Sequence, residues 1–235
     1  MIRPLLLGHR GARAFKEIPE NTLPSFDRAL ADGCDGFEFD VRLTADGQAV
    51  VCHDPVVHDA KAGRLQIAQS RAGQLPDLPR LGQILSRYKH SFLDVELKVC
   101  GLEEIVIENV KRHRPKDFVL SSFLPEVLKT IHRLDPELPL GLICETKRQL
   151  ECWSRLPVQY VIPHHKIVRR DLICELHDSK RQVLVWTVNR PRQMERLDAW
   201  GVDGIISDDT KLLGQTLAKA PTTETRSHGE HEGSM

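Results

Sequence analysis

The chain has 235 residues, of which 40% are hydrophobic and 28% charged, enough for one large core and within the size range of a complete barrel domain. Its 33 Lys and Arg balance 33 Asp and Glu, so overall charge points neither to nucleic acid nor to an anionic membrane surface. Leu5-Leu6-Leu7 is too short for a secretory leader and runs at once into Gly8-His9-Arg10. No apolar stretch approaches the length of a membrane span, so stable membrane insertion is not expected.

Short apolar runs alternate with longer amphipathic ones. The strand-like runs are Pro4–Gly8, Gly36–Arg42, Ser91–Leu97, Phe118–Ser121, Leu138–Cys144, Val158–Ile162, Gln182–Trp186 and Gly204–Ile206. Helical periodicity marks Thr22–Asp32, Leu81–Lys89, Leu102–Arg112, Leu124–Leu134, Thr146–Ser154, Arg169–Asp178 and Arg192–Trp200, with another helix expected after Ser207. Strict alternation predicts a parallel sheet, and eight strand–helix units predict an α/β fold of the (β/α)8 TIM barrel type. One run is extra. Ala49–His53 follows Thr44-Ala45-Asp46-Gly47, a tight-turn signal that predicts a hairpin with Phe37–Leu43 at the barrel mouth. Asp54 to about Pro79 breaks the rhythm and is expected to be a short insertion or loop. The barrel is expected over residues 1–219, and the polar segment 220–235 is expected to be a disordered tail.

The six cysteines form no C-x-x-C pair, and several sit in apolar runs. They are expected to be reduced and buried, which suits a cytoplasmic protein.

In this barrel class chemistry sits at the C-terminal ends of the strands. Side chains of a strand alternate between faces, so Glu38 and Asp40 point one way while Phe37, Phe39 and Val41 point the other. Two half-buried like charges call for a raised pKa or a bound cation. Oxygen ligands favour a hard divalent ion, Mg²⁺ or Ca²⁺. Asp94, Glu96 and Lys98 repeat the device on what should be the neighbouring strand. Glu96 is then a third ligand and Lys98 a phosphate-binding point charge, with a structural Glu–Lys pair as the alternative. His9 and His53 end two separate strands and can serve as base and acid in a displacement at phosphorus. Arg10 offers a fork of donors to phosphate oxygens. Glu20 lies in the first strand–helix loop, within possible reach of the metal region. Asn21 and Thr22 are both good helix N-caps.

Eight motifs occur in order: His9-Arg10-Gly11, Pro19-Glu20-Asn21-Thr22, Glu38-x-Asp40-Val41, Thr44-x-Asp46-Gly47, Val50-Val51-x-His53-Asp54, Glu96-x-Lys98, Trp186-Thr187-x-Asn189 and Gly201-Val202-Asp203-Gly204-Ile205-Ile206-Ser207-Asp208. From about Leu5 to Asp209 the chain closely resembles the glycerophosphodiester phosphodiesterase family. The resemblance implies a phospholipase-C-like barrel and a divalent cation held by Glu38, Asp40 and Glu96, with Glu20 a possible further ligand. It implies His9 and His53 as the acid–base pair and Arg10 and Lys98 at the phosphate. Trp186 would line the substrate pocket, and Asn189 of the same motif is assigned to that pocket. The implied substrate is a small glycerophosphodiester, such as glycerophosphocholine or glycerophosphoethanolamine, split into sn-glycerol 3-phosphate and an alcohol. The sequence departs from the family after His53-Asp54: Val57-His58-Asp59-Ala60-Lys61-Ala62-Gly63 stands where an Arg-Thr-rich stretch is common, and no aromatic residue occurs from Pro55 to Arg87. This segment is expected to shape the pocket over the leaving alcohol, which leaves the head group open.

Three other readings compete. A lysophospholipase D-type enzyme would use the same barrel and metal but needs an apolar groove or docking surface, and only 5% of residues are aromatic. A non-catalytic barrel binding phosphorylated metabolites would have no need to keep all of His9, His53, Glu38, Asp40 and Glu96. A Schiff-base aldolase would make Lys98 the nucleophile and leave the carboxylates unexplained.

Overall fold

The computed structural model describes residues 3–59 and 63–217. In chain order the strands are β1 (Leu5–His9), β2 (Gly36–Leu43), β3 (Ala49–Val51), β4 (Val56–Asp59), β5 (Gly63–Gln66), β6 (Phe92–Leu97), β7 (Asp117–Ser122), β8 (Leu140–Cys144), β9 (Tyr160–Pro163), β10 (Gln182–Val185) and β11 (Gly204–Ser207). The helices are α1 (Leu23–Ala31), α2 (Leu81–Arg87), α3 (Glu103–His113), α4 (Pro125–Leu134), α5 (Lys147–Leu150), α6 (Arg170–Asp178), α7 (Pro191–Trp200) and α8 (Thr210–Leu217). Strands β1, β2, β6, β7, β8, β9, β10 and β11 pair in parallel in that order, and β1 pairs with both β2 and β11, so the sheet closes into the expected eight-stranded barrel.

The strand period of two fills this barrel in tiers. Leu7, Phe92, Val119, Ile143, Ile162, Leu184 and Ile206 form a buried apolar cluster inside it. Two positions further along the same strands stand His9, Asp94, Ser121, Glu145, His164, Trp186 and Asp208. On β2 the inward row is Gly36, Glu38 and Asp40. Gly36 is required there: a Cβ at this position would lie 1.8 Å from the carbonyl oxygen of Phe92 on β6. Apolar side chains thus plug the lower barrel, and polar ones line its C-terminal mouth.

The opposite faces of the strands pack against the helices. Phe26 of α1 stacks on Phe37 of β2 with ring centroids 4.2 Å apart, and Tyr88 meets both rings edge-on. All three are buried within the larger cluster that includes the inner sides of the helices.

The hairpin forms as expected, with Val41 opposite Val51 and Leu43 opposite Ala49. Its second strand stops at Val51, so His53 lies on a bend beyond it. Two expectations change. The segment after Asp54 is an insertion, but not a plain loop: β4 and β5 pair as an antiparallel ribbon, followed by short 3-10 turns. The helix expected over Thr146–Ser154 is reduced to the single turn of α5 and a 3-10 turn, Trp153–Arg155. Pro157 forces the preceding residue toward extended backbone, and Leu156 adopts φ −114°, ψ 146°.

The cysteines are free, but not uniformly buried. Cys34 and Cys144 are buried, Cys52 and Cys152 half-buried, and Cys100 and Cys174 exposed. Cys100 follows the end of β6 and Cys174 faces outward on α6, positions that an apolar neighbourhood in sequence does not distinguish from core. No helix among the described residues is long and apolar enough to cross a membrane. The expected tail, 220–235, lies outside the described residues.

Candidate active site

The first strand ends in a strained turn. Arg10 and Gly11 follow β1 with φ of 53° and 79°, and Asn21 in the same connection has φ 59°. Left-handed backbone is costly for residues with a Cβ and persists where the surroundings fix it. At Gly11 a Cβ would also lie 2.4 Å from Ser25 Oγ. The Arg10 backbone N–H donates to Glu38 Oε2 at 2.9 Å, while its guanidinium lies 2.7 Å from Glu20 Oε1 and 3.3 Å from Asp40 Oδ2.

Register brings the carboxylates together. His9 pairs with Glu38, Glu38 with Asp94, and Asp40 with Glu96 on adjacent strands. Oxygens of Glu38, Asp40 and Glu96 all lie within 4.8 Å of one another, and all three residues are buried. Lys98 Nζ stands 2.6 Å from Glu96 Oε1 and 3.2 Å from Asp40 Oδ1. Burial together with the charges of Asp40 and Glu96 raises the Glu38 carboxyl well above its ordinary range. Burial and Asp40 likewise raise Glu96, against the pull of Lys98. Asp40 is opposed by burial too, but Lys98, Arg10 and a hydrogen bond from Asn21 together keep it low. Asp94, held by the Ser121 hydroxyl, is pushed up to about 7 by burial.

The donor set fits a hard divalent cation. All three donors are carboxylate oxygens, and Glu38 Oε1 is buried without a hydrogen-bond partner. Asp40 Oδ1 also lacks a bond of hydrogen-bonding geometry, with Lys98 near it only as an ion-pair partner. Glu20 stands apart from this cluster. Its two oxygens face Arg10 and, at 2.5 Å, Arg13 Nε, and it is not among the three carboxylates that converge.

His9 and His53 both line the cavity that contains this cluster. His9 Nδ1 lies 2.7 Å from Asp208 Oδ1, and its Nε2 lies 3.9 Å from Glu38 Oε2. Asp208 in turn accepts from Asn189 Nδ2 at 2.6 Å. Arg42 Nε donates to the His53 carbonyl at 2.7 Å, and Asp54 Oδ1 lies 2.8 Å from His53 Nδ1. Each ring thus has a carboxylate at Nδ1, which favours a proton on that nitrogen, and His9 turns its Nε2 toward Glu38 in the cavity.

The cavity holds about 340 Å³ and has two characters. Arg10, Lys98, the histidines and the carboxylates supply its ionic lining. Phe123, Ile143, Ile162, Trp186 and Ile206 supply the apolar lining, with Lys98 Nζ 5.8 Å from the Phe123 ring centroid, and the exposed Glu145 also lines the cavity. Trp186 therefore lines the cavity as expected, its ring edge-on to Phe123 at 5.6 Å and its indole N–H donating to the Ile162 carbonyl. Asn189 does not. It lines an adjoining groove with His165, Arg190 and Arg192, and acts on the site only by holding Asp208. Nor do the described residues of 54–79 line the cavity; the wall expected from them comes from the ends of β7, β8 and β10.

Sequence reasoning gave three supporting residues no role at the site. Asp208 closes a recognised motif, but its partner is at the other end of the chain. Asn21 read as a helix cap; in fact Thr22 caps α1, and Asn21 donates to Asp40 Oδ2 at 2.8 Å while accepting the Asp40 N–H at 3.2 Å. Phe123 carried no sequence signal beyond its place after a strand.

A family model described as the glycerophosphoryl diester phosphodiesterase family matches residues 9–114 and 85–212. A glycerophosphodiester phosphodiesterase of Caldanaerobacter subterraneus subsp. tengcongensis is 29% identical over 245 residues, covering 93% of this chain and 99% of the relative. The crystal structure of a glycerophosphodiester phosphodiesterase from Parabacteroides distasonis superposes with a TM-score of 0.78 at 28% identity, covering 92% of this chain and 97% of that one. A phosphodiesterase from Oleispira antarctica, solved in complex with the product sn-glycerol-3-phosphate, gives a TM-score of 0.79 at 26% identity, covering 92% and 98%.

Proposed function

Because the chain belongs to the glycerophosphoryl diester phosphodiesterase family and is a phosphoric diester hydrolase, we propose that it splits small glycerophosphodiesters into sn-glycerol 3-phosphate and an alcohol, with His9 and His53 as its acid–base pair and a divalent cation at Glu38, Asp40 and Glu96. The observation that carries this reading is the convergence of those three buried carboxylates in the cavity both histidines line. The product bound to the Oleispira antarctica phosphodiesterase supports the same substrate class.

When bound, Mg²⁺ or Ca²⁺ supplies charge for the phosphate and a more acidic glycerol hydroxyl. Arg10 and Lys98 place positive charge beside the same carboxylates and neutralise phosphate oxygens. One histidine takes the proton from the glycerol hydroxyl next to the phosphate, and that oxygen bonds to phosphorus. The P–O bond to the alcohol breaks, and the other histidine protonates the departing oxygen. Water then opens the cyclic phosphate with the two roles reversed, so that one water is consumed in all. Asp208 and Asp54 hold the two rings through Nδ1. Residues 1–219 act as one catalytic barrel in this reading, and free cysteines agree with a cytoplasmic setting.

A lysophospholipase D-type activity on the same barrel is the second reading, and the relatives named as glycerophosphodiester phosphodiesterases speak for the first. The test is release of glycerol 3-phosphate from glycerophosphocholine and glycerophosphoethanolamine with Mg²⁺, with Ca²⁺ and with EDTA. Metal-dependent release that disappears in Glu38→Ala is expected. Release that EDTA leaves intact would remove the cation, and turnover of lysophospholipids alone would establish the second reading.

A further inference from the structure

The cavity is electrically lopsided. Arg10, Lys98, the histidines and the buried carboxylates suit a phosphate and glycerol hydroxyls, which leaves the departing alcohol the apolar lining of Phe123, Ile143, Ile162 and Trp186, with Lys98 Nζ 5.8 Å from the Phe123 ring centroid. Glu145 lines the same cavity. Its side chain is exposed and, like the buried Asp94, forms no ion pair among the described residues, whereas the carboxylates of Glu20, Asp40, Glu96 and Asp208 around the same mouth all do.

The backbone at Glu145 is held in place. The residue directly follows β8 on the row that points into the barrel, two positions after Ile143. Gln149 of α5 folds back so that its Oε1 accepts both the Glu145 and Thr146 backbone N–H groups at 3.0 Å. Across from it the aromatic wall is fixed too: the Trp186 indole is anchored to the Ile162 carbonyl and packed edge-on against Phe123 and His164. A carboxylate beside aromatic faces attracts a cation that carries apolar surface: the ring quadrupole and the negative charge act together, and the methyl or methylene groups replace water on the wall.

We propose that Glu145, with Trp186 and Phe123, is the specificity determinant of this enzyme and selects glycerophosphodiesters whose leaving alcohol carries an ammonium group, choline and ethanolamine over uncharged polyols. The proposal rests on the hydrolase reading above and adds to it the residue that chooses the head group.

The experiment compares kcat/KM for glycerophosphocholine and for glycerophosphoglycerol in the natural protein and in Glu145→Gln, which keeps the shape and removes the charge. The choline-to-glycerol ratio should fall roughly three- to tenfold in Glu145→Gln, the size expected of one partly solvated charge contact. It should fall further in Glu145→Lys, where the charge is reversed. Choline chloride should inhibit the natural protein more strongly than Glu145→Gln. Hydrolysis of both substrates with an unchanged ratio in both variants overturns the assignment of Glu145 and leaves the hydrolase reading standing. Hydrolysis of neither substrate by the natural protein, with either metal, overturns both.

Discussion

His9 and Asp208 stand 199 positions apart in the chain, yet His9 Nδ1 and Asp208 Oδ1 meet at 2.7 Å across the seam where β1 pairs with β11. A carboxylate at Nδ1 fixes the ring's orientation and leaves Nε2 facing the cavity. Asp208→Asn replaces an acceptor with a group able to donate to that nitrogen. It should lower kcat about 100-fold, the low end of what an acid–base group contributes. A folded Asp208→Asn protein with normal kcat would show that the contact is only structural.

The same pair governs acid stability. Burial opposes ionisation of Asp208, but the bond and charge of His9, aided by Asn189 and Arg13, bring its pKa down to about 2 from an ordinary 3.8. A carboxyl depressed in the folded state stabilises fully above its unfolded pKa and loses that contribution as pH falls toward the folded one. Because Asp208 stays partly in solvent, up to about 1 kcal/mol should therefore be lost between about pH 4 and pH 2. Urea unfolding of the natural protein and Asp208→Asn across that window checks it: the gap between the two should close as pH falls.

Loss of either histidine should be severe. His9→Ala and His53→Ala are each expected to reduce kcat by about 10²- to 10⁴-fold with folding intact. Steady-state kinetics beside circular dichroism separate the two effects. Full activity in either variant takes that residue out of the mechanism.

The carboxylate cluster makes a prediction that needs no turnover. Glu38 is buried beside Asp40 and Glu96, with one oxygen unpartnered. Without metal, Glu38→Gln removes an unfavourable buried charge and should raise Tm by a few degrees, equivalent to about 1 kcal/mol. Added Mg²⁺ or Ca²⁺ should raise Tm of the natural protein and do so much less for the variant, since only binding to the folded state stabilises it. Equal metal-induced shifts in both proteins would place the cation elsewhere.

The outer core should be costly to open. Phe37 is fully buried, stacked on Phe26 and met edge-on by Tyr88. Phe37→Ala should cost about 3–5 kcal/mol through lost burial and the cavity left behind. Chemical denaturation gives the figure directly, and a loss below about 1 kcal/mol would mean the neighbouring rings collapse into the gap.

Much of this was legible in the chain because it depends on short-range rules. The eight strand–helix units follow from local periodicity, and the shared face of Glu38 and Asp40 follows from the strand period of two. The hairpin follows from Asp46-Gly47, which adopts the turn with Gly47 at φ 72°. Those same rules fail where a local pattern is overruled, as at α5, where Pro157 and the need to enter β9 cut a helix to one turn.

What the sequence could not carry are the pairings made by closure. A single strand states which side chains share a face, but register between strands decides that Asp40 sits beside Glu96 rather than Asp94, and that Asp208 reaches His9. Asn21 looked like a cap because capping is local, while its bond to Asp40 exists only once the first loop folds over β2. Glu20 was placed near the cation by position alone, whereas the two arginines its oxygens face are brought to it only by the folded loop. The sequence determined the residue types, their faces and their order. The closed barrel decided their neighbours, because contacts between residues far apart in the chain are set by sheet register and side-chain charge together, and neither is a property of any one segment.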